Sequence, residues 1–211
     1  MMDVHPPHRA IENARDFFLQ LLTITAGLLI AFGLEACVEW GHHRSLRREA
    51  DANLHQELRD NQKDLAASRF AIAKERENLI SILTFLSARI HNQPTAATGL
   101  SLSYTLRGMR DASWRTAADT GALGYMEYSH VQRYADAYQV QEEYVRLERE
   151  TLDDFLQLQS YVITGFEPDK ITPAEAETAS EDVRHALSHL AAMDQFAQSL
   201  SRAYDEALAA H

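Results

Sequence analysis

The chain has 211 residues, with 20 lysines and arginines against 31 aspartates and glutamates, so its formal net charge is −11. That length suits one domain, or one domain with an appendage, and the acidic balance argues against nucleic acid as a partner. The single cysteine excludes a disulfide framework and a cysteine-based zinc site. Five prolines and eight glycines favour long helices over a strand-rich fold with many turns.

The charge is unevenly distributed along the chain. Residues 127–211 hold seventeen acids and six bases, whereas residues 41–76 hold eight bases and six acids. Anionic lipid headgroups would attract the mildly basic neck, residues 41–76, and repel the acidic part that follows.

An apolar segment lies close to the N-terminus. Residues 17–34 include no charged side chain, and a helix of eighteen residues is about 27 Å long, close to the roughly 30 Å hydrocarbon core of a bilayer. We therefore predict a short leader, residues 1–16, and a transmembrane helix, residues 17–40. The interfacial anchor of that helix is predicted to comprise Trp40, Arg44, Arg47 and Arg48.

The apolar segment has three other possible interpretations: a buried core helix, a cleavable signal and a lipoprotein signal. Buried core helices seldom run so far without a charge. A cleavable secretory signal has a shorter apolar stretch and a small-residue cleavage site. The sequence before Cys37 resembles a lipobox, although Glu35 is atypical there, so lipidation of Cys37 stands as the alternative to an ordinary thiol.

The orientation of the predicted span rests on few charges. Arg9 and Arg15 precede the span, and three arginines follow it, so the positive-inside count is nearly even. Arg15 lies closer to the span than Arg44 does. We therefore expect a cytoplasmic N-terminus and a body on the opposite side of the membrane.

One face of the span carries small residues every fourth position, at Thr23, Gly27 and Ala31, and ends at Glu35. Small side chains let two helix backbones approach closely in a membrane, so this face is the predicted transmembrane contact face. Glycine and alanine are also common in membrane helices without any such contact, and Glu35 could simply reach the headgroups.

A long helix is expected to continue from the membrane. No proline occurs between Pro7 and Pro94, so the helix should extend to about Ile90. A heptad-spaced bundle seam runs along it, comprising Leu58, Leu65, Ile72, Leu79 and Leu86. Polar residues at Asn61, Ser68 and Glu75 dilute the stripe, which favours packing within one bundle over a long coiled coil. The first three seam residues are also a predicted contact surface for a partner.

Further helices follow a loop at residues 91–110. A short helix is predicted around Trp114, and a third helix from a cap at Ser129 to about Ile163. A turn is expected at Gly165 and Pro168. The fold class is therefore all-α, with residues 41–211 forming an antiparallel bundle of three long helices and one short one.

The last helix has the clearest start signal. Thr172-Pro173-Ala174-Glu175 combines a capping box with proline at the first helical position. The inward positions of this helix are predicted to be Val183, Leu187, Leu190, Phe196, Ala197, Leu200 and Tyr204.

This layout resembles uncharacterised bacterial single-pass membrane proteins with a domain of unknown function. The matching features are an aromatic residue just past the span, Trp40, and a later segment formed by Ser113, Trp114, Ala117, Thr120, Gly121, Ala122 and Leu123. The resemblance covers most of the chain with loose motifs. It implies a bacterial envelope protein and no activity. With the expected orientation, the span would lie in the bacterial inner membrane and the body in the periplasm.

Histidines and neighbouring acids are the candidate metal ligands. His185 and His189 lie one helical turn apart, but the sequence supplies no third ligand at a defined spacing, so no metal site and no cofactor are predicted. Glu39 with His42 and Glu127 with His130 have the spacing of di-iron carboxylate motifs, which would require both pairs to meet within one bundle. Asp153 and Asp154 are expected to belong to a solvated face.

No phosphate loop, dinucleotide fingerprint or nucleophile elbow occurs, so we do not expect an enzyme. The leading hypothesis is a membrane-anchored interaction or scaffold module that binds the lipid bilayer and a second copy of itself or a membrane protein. The alternative is a ligand- or metal-binding, sensor-like bundle that acts through a partner protein.

Overall fold

A computed structural model describes residues 14–95, 101–163 and 170–209. Within these ranges the chain forms four α-helices, one short 3-10 turn and no strand, as the all-α prediction required. The helices are α1 (Ala14–Ile90), α2 (Ala112–Asp119), α3 (Tyr128–Ile163) and α4 (Pro173–Leu208), and the 3-10 turn is Ala122–Tyr125.

The chain divides into two compact units, Met1–Arg48 and Glu49–His211. Helix α1 contributes to both units and ends at Ile90, where the proline-free sequence predicted its end. Asn92 adopts a left-handed conformation with φ of 52°, which lets the amide of Gln93 bond back to the carbonyl of Ala88 at 2.8 Å. The predicted leader lies outside the described residues apart from residues 14–16.

Hydrogen bonds fix the directions of the helices within the second unit. Hydrogen-bonded pairs between α1 and α3 occur in the same order along both helices, from Asp51 with Tyr134 to Ser68 with Tyr144. These two helices are therefore parallel. Pairs between α3 and α4 run in opposite directions, as do those between α1 and α4. The bundle is therefore antiparallel through α4, with α1 and α3 pointing the same way.

The predicted seam forms one side of the bundle core. All five residues of the bundle seam are at most 5% exposed. Because these side chains pack inside the chain's own bundle, they are not available as a contact surface for a partner. Burying a leucine contributes roughly 1.5–3 kcal/mol, so the seam is a main source of the bundle's stability.

The polar positions that dilute the seam are buried as well. Asn61, Ser68 and Glu75 are at most 7% exposed. Ser68 Oγ lies 2.7 Å from the hydroxyl of Tyr144, and Asn61 Nδ2 donates to Gln141 Oε1 at 3.0 Å. A buried polar group is tolerated when it is hydrogen-bonded, so these residues extend the core and do not interrupt it.

Several of these polar side chains hold a stretch of chain that lies along the bundle. The return segment, residues 101–114, has no regular secondary structure until α2 begins. Its partners on α1 occur in reverse order: Ser103 bonds Glu75 at 2.8 Å, and the amide of Ser113 bonds Glu57 at 2.9 Å. The return segment therefore runs antiparallel to α1, which explains why α3 starts at the same end as the bundle part of α1.

Side chains supply hydrogen-bond partners to the backbone of the return segment, where regular secondary structure supplies none. The amide of Arg110 donates to Asn61 Oδ1 at 2.9 Å, and its carbonyl accepts from Asn61 Nδ2 at 2.7 Å and from Gln141 Nε2 at 2.9 Å. The amide of Arg107 donates to Glu148 at 3.0 Å. Buried backbone groups need partners, so α1 and α3 supply them from polar core positions.

The ends of the later helices match the predictions in part. Thr172 and Glu175 form the predicted capping box, with both reciprocal bonds present. Helix α3 begins at Tyr128, so the predicted cap at Ser129 is wrong: Ser129 lies in the first turn and donates to Glu127. The predicted turn at Gly165 and Pro168 lies outside the described residues.

The inward face of α4 is close to its prediction. Val183, Leu190, Ala197, Leu200 and Tyr204 are buried. Phe196 is 40% exposed, so its predicted inward position is wrong, and the buried residue of that turn is Met193 at 0%.

Candidate functional site

The apolar segment of α1 is exposed within its own unit. One helix in the described part of the chain is long and apolar enough to span a membrane, and no residue of its most apolar stretch is buried. Large side chains along it, such as Phe18, Leu22 and Leu29, are 65%, 66% and 65% exposed. A soluble protein rarely leaves so much contiguous apolar surface in water, and this stretch has the length and composition of a membrane span.

The predicted interfacial anchor lies just beyond that segment. Trp40 is 63% exposed, and the guanidinium of Arg44 lies 5.2 Å from the centre of its ring. Arg47 and Arg48 are exposed on the following turn. An aromatic ring with cationic neighbours is the arrangement expected at the headgroup level of a bilayer.

The predicted transmembrane contact face is open. Thr23, Gly27, Ala31 and Glu35 are all exposed, and a side chain at Gly27 would meet no atom within 4 Å. The hydroxyl of Thr23 donates to the carbonyl of Leu19 at 2.8 Å, so it has a partner within the helix. Cys37 is an exposed free thiol in the same unit.

The segment around Trp114 docks onto the bundle. The indole of Trp114 stacks on Tyr138 with ring centroids 5.2 Å apart, and Ala117 and Ala122 are buried. Gly121 adopts a φ of 73°, which favours glycine because it has no Cβ. These residues, which carry the resemblance to the bacterial membrane proteins, therefore serve packing and a sharp turn.

A groove of about 870 Å³ lies beside Trp114. Arg115 and Arg146 line it, but Arg115 pairs with Asp111 and Arg146 pairs with Glu143, on the same helical faces. The groove therefore presents mutually neutralised charges. Helical bundles bind ligands in grooves of this kind. Because the lining carries charges of both signs, its charge does not indicate whether a ligand would be an anion or a cation.

A cluster of metal-ligating side chains joins α3 to α4. The Nδ1 atoms of His185 and His189 lie 3.0 Å and 2.6 Å from the two carboxylate oxygens of Asp154. The two imidazole rings are 4.6 Å apart between centroids, and the candidate ligand atoms of the three residues all lie within 4.8 Å of one another.

Asp154 is the third potential ligand, which the sequence could not identify. Its side chain is 13% exposed, against 66% for His185 and 27% for His189, so the interpretation of Asp154 as part of a solvated face is wrong. Asp182 lies one turn before His185 but is engaged outside the cluster. Its carboxylate accepts hydrogen bonds from Gln157 at 3.0 Å and from Tyr161 at 2.6 Å. Asp154 meets the two histidines because of the way α3 packs against α4.

The two pairs with di-iron spacing lie in different units, Glu39 with His42 in the first and Glu127 with His130 in the second. Glu127 lies 3.6 Å from His130, whereas Glu39 pairs with His43, at 3.9 Å, and not with His42. A hydrogen bond from Ser129 and the charge of His130 lower the pKa of Glu127, which is typical of an exposed ion pair.

Comparison with known proteins gives no relative. No protein-family model, no curated protein and no solved structure matches the chain.

Proposed function

We propose that this chain is a membrane-anchored, non-enzymatic interaction module of the bacterial envelope, which holds a second copy of itself or a membrane protein partner at the bilayer. The observation that carries the proposal is the exposed apolar stretch of α1. Transfer of its side chains into lipid recovers about 25 cal/mol per Å² of apolar surface, which is ample to retain a single-pass protein in a membrane.

The second unit supports a role in binding over catalysis. Its buried carboxylates are engaged by structural donors: Glu57 holds Tyr138 and Ser113, Glu75 holds Ser103, and Glu148 holds the amide of Arg107. A catalytic acid or base must reach a substrate, and these three groups hold the return segment instead.

The transmembrane contact face is the proposed surface for self-association. Close approach of two helices needs small side chains, and Gly27 and Ala31 lie on an unobstructed face. Glu35, at the end of this face, would be paired or protonated at a helix–helix contact.

The body is proposed to lie in the periplasm, anchored in the inner membrane. Support comes from Arg15, which is nearer to the span than the arginines after it. A single cysteine introduced at Ser129 in a Cys37→Ser background tests the side, because Ser129 is exposed. A membrane-impermeant maleimide should label it in intact spheroplasts, and labelling only after lysis would place the body in the cytoplasm.

Membrane anchoring is tested by alkaline carbonate extraction of bacterial membranes that contain the full chain. The wild-type protein should remain in the pellet. Leu22→Arg combined with Leu29→Arg should release it, since an arginine at the centre of a span costs about 2.5–3.5 kcal/mol.

The matched control is Phe70→Arg, which places arginine on a 77% exposed apolar side chain of the second unit. This variant should remain in the pellet. Extraction of the wild-type chain by carbonate would overturn the proposal of a spanning anchor.

Self-association is tested by sedimentation of the full chain in detergent across a range of protein-to-detergent ratios. Gly27→Leu with Ala31→Leu should shift the protein towards monomer. Gly33→Leu, on a different face with no atom within 4 Å, should not. A wild-type chain that is monomeric at every ratio would contradict self-association and leave a partner protein as the target.

A further inference from the structure

We propose that Asp154, His185 and His189 form a binding site for a divalent transition-metal ion such as Zn²⁺, which bridges α3 and α4. This site is independent of the membrane-anchored function proposed above. It rests on the identity of the three side chains and on the distances between their ligand atoms.

The ligand set matches the chemistry of zinc. Zn²⁺ binds imidazole nitrogen and carboxylate oxygen at about 2.0–2.2 Å, commonly with three protein ligands and one open position. Two histidines at i and i+4 present their rings from one helical face. Mg²⁺ and Ca²⁺ prefer oxygen donors, so the two imidazoles select against them.

The distances allow an ion to enter with a small adjustment. Ligand atoms around a tetrahedral zinc lie about 3.3 Å apart when each is about 2.0 Å from the ion. The nitrogen of His185 lies 3.0 Å from one oxygen of Asp154, and the nitrogen of His189 lies 2.6 Å from the other. These pairs would have to separate by about 0.3 Å and about 0.7 Å to reach the spacing around zinc. Metal binding at Nδ1 would move any proton on that atom to Nε2 of the same ring or to solvent.

The surroundings favour a defined site over loose surface binding. Asp154 is largely buried, whereas His185 is exposed to solvent. The ion would therefore contact the buried carboxylate of Asp154 and remain accessible to solvent beside His185. One turn along the same pair of helices, Gln157 and Tyr161 bind Asp182. This second contact fixes the spacing of α3 and α4 next to the site and so preorganises the ligands.

The expected coordination leaves one position open. Three protein ligands would leave the fourth position to water or to a donor atom of a bound molecule. Because the ligands come from two helices, the ion would bind the folded chain better than the unfolded one and would stabilise the packing of α3 on α4.

Calorimetric titration of the full-length protein tests the site. The protein is purified in detergent without a histidine tag, stripped with EDTA and titrated with Zn²⁺. We expect one site per chain that Asp154→Asn, His185→Ala and His189→Ala each weaken at least tenfold, together with a rise in the melting temperature on adding Zn²⁺ that these variants lose. Because His185 is exposed, its substitution should leave the fold intact, as circular dichroism will check.

Two matched controls separate this site from general binding by surface histidines and acids. Asp153→Asn removes the neighbouring exposed carboxylate, and His130→Ala removes another histidine beside an acid. Both should bind Zn²⁺ within twofold of the wild type. Equal binding by all five variants, or a wild-type chain that takes up no Zn²⁺, would overturn the proposal.

Discussion

The phenolic hydroxyl of Tyr138, in the middle of the bundle, donates a 2.6 Å hydrogen bond to the carboxylate of Glu57. Both residues are at most 7% exposed. Glu57 also accepts from the amide of Ser113 at 2.9 Å, and the ring of Tyr138 stacks on Trp114. One buried pair therefore joins α1, α3 and the end of the return segment.

Replacing Tyr138 with phenylalanine should destabilise the bundle by about 2 kcal/mol, because it leaves the buried carboxylate of Glu57 with one donor fewer. Urea unfolding of the full chain in detergent, followed by far-ultraviolet circular dichroism, measures the change. The control is Tyr128→Phe, because Tyr128 is 74% exposed and should change the free energy of unfolding by less than about 0.5 kcal/mol. Equal effects of the two variants would contradict the importance of the buried pair.

Asn61→Leu should destabilise the protein even though it completes the apolar heptad pattern of α1. Asn61 is fully buried and satisfies both the amide and the carbonyl of Arg110. Leucine would leave the amide of Arg110 without its acceptor, whereas the carbonyl of Arg110 keeps its bond from Gln141 Nε2 at 2.9 Å. An unsatisfied buried group costs about 1–3 kcal/mol. Urea unfolding should show a loss of that order.

The control for Asn61→Leu is Ala66→Leu, which adds leucine at an exposed position of the same helix. It should be close to neutral. A stabilised Asn61→Leu protein would mean that the return segment is not held as the structure shows.

Stability should fall at alkaline pH because of buried tyrosines. Burial raises the pKa of Tyr144 from 10.0 to about 12. Below pH 10 the hydroxyl is protonated in both the folded and the unfolded chain. Between pH 10 and 12 the unfolded chain loses its proton first, so the contribution of Tyr144, on the order of 3 kcal/mol, is lost as the pH rises through this range.

Tyr144→Phe isolates that contribution. The plot of the free energy of unfolding against pH should become shallower by up to about 1.4 kcal/mol per pH unit between pH 10 and 12. Tyr128→Phe should leave the slope unchanged, and an unchanged slope in Tyr144→Phe would show that this hydroxyl ionises freely in the folded protein.

Glu148→Gln should stabilise the protein at neutral pH. Burial raises the pKa of Glu148 above its ordinary value of 4.5, so the folded state favours the protonated acid. The stability this gives is complete below pH 4.5 and is lost as the pH rises through the folded-state pKa. Glutamine stays neutral and can still accept from the amide of Arg107.

Chemical unfolding at pH 4 and pH 7 measures this effect. The variant should exceed the wild type at pH 7 and approach it at pH 4. Glu150→Gln, at an exposed position two residues along α3, is the matched control and should show no such difference. A variant less stable than the wild type at pH 7 would mean that the charged carboxylate is required.

Local patterns in the sequence account for much of the fold. The absence of proline up to Pro94 predicted the end of α1 at Ile90, the heptad spacing predicted the buried seam, and the capping box at Thr172 predicted the start of α4. Each depends on interactions within one or two helical turns, which the order of residues specifies directly.

The candidate metal cluster could be predicted only in part from the sequence. The spacing of His185 and His189 is visible in the sequence, but Asp154 lies about thirty residues away and has an equally acidic neighbour at Asp153. Which of the two acids meets the histidines depends on the rotation of α3 about its axis. That rotation is set by the whole interface with α4.

By itself, the sequence determined an all-α chain, an uncharged segment long enough to span a membrane and the positions of the main helices, because each is a property of neighbouring residues. Tertiary structure decided that α1 and α3 are parallel, since the return segment carries the chain back along the bundle. It also decided that Asn61, Glu57 and Glu148 are core residues. Their burial is stable only because distant backbone and hydroxyl groups meet them there, and no local pattern contains those partners. Some of the acidic residues that give the chain its negative charge are therefore buried carboxylates that stabilise the fold through hydrogen bonds.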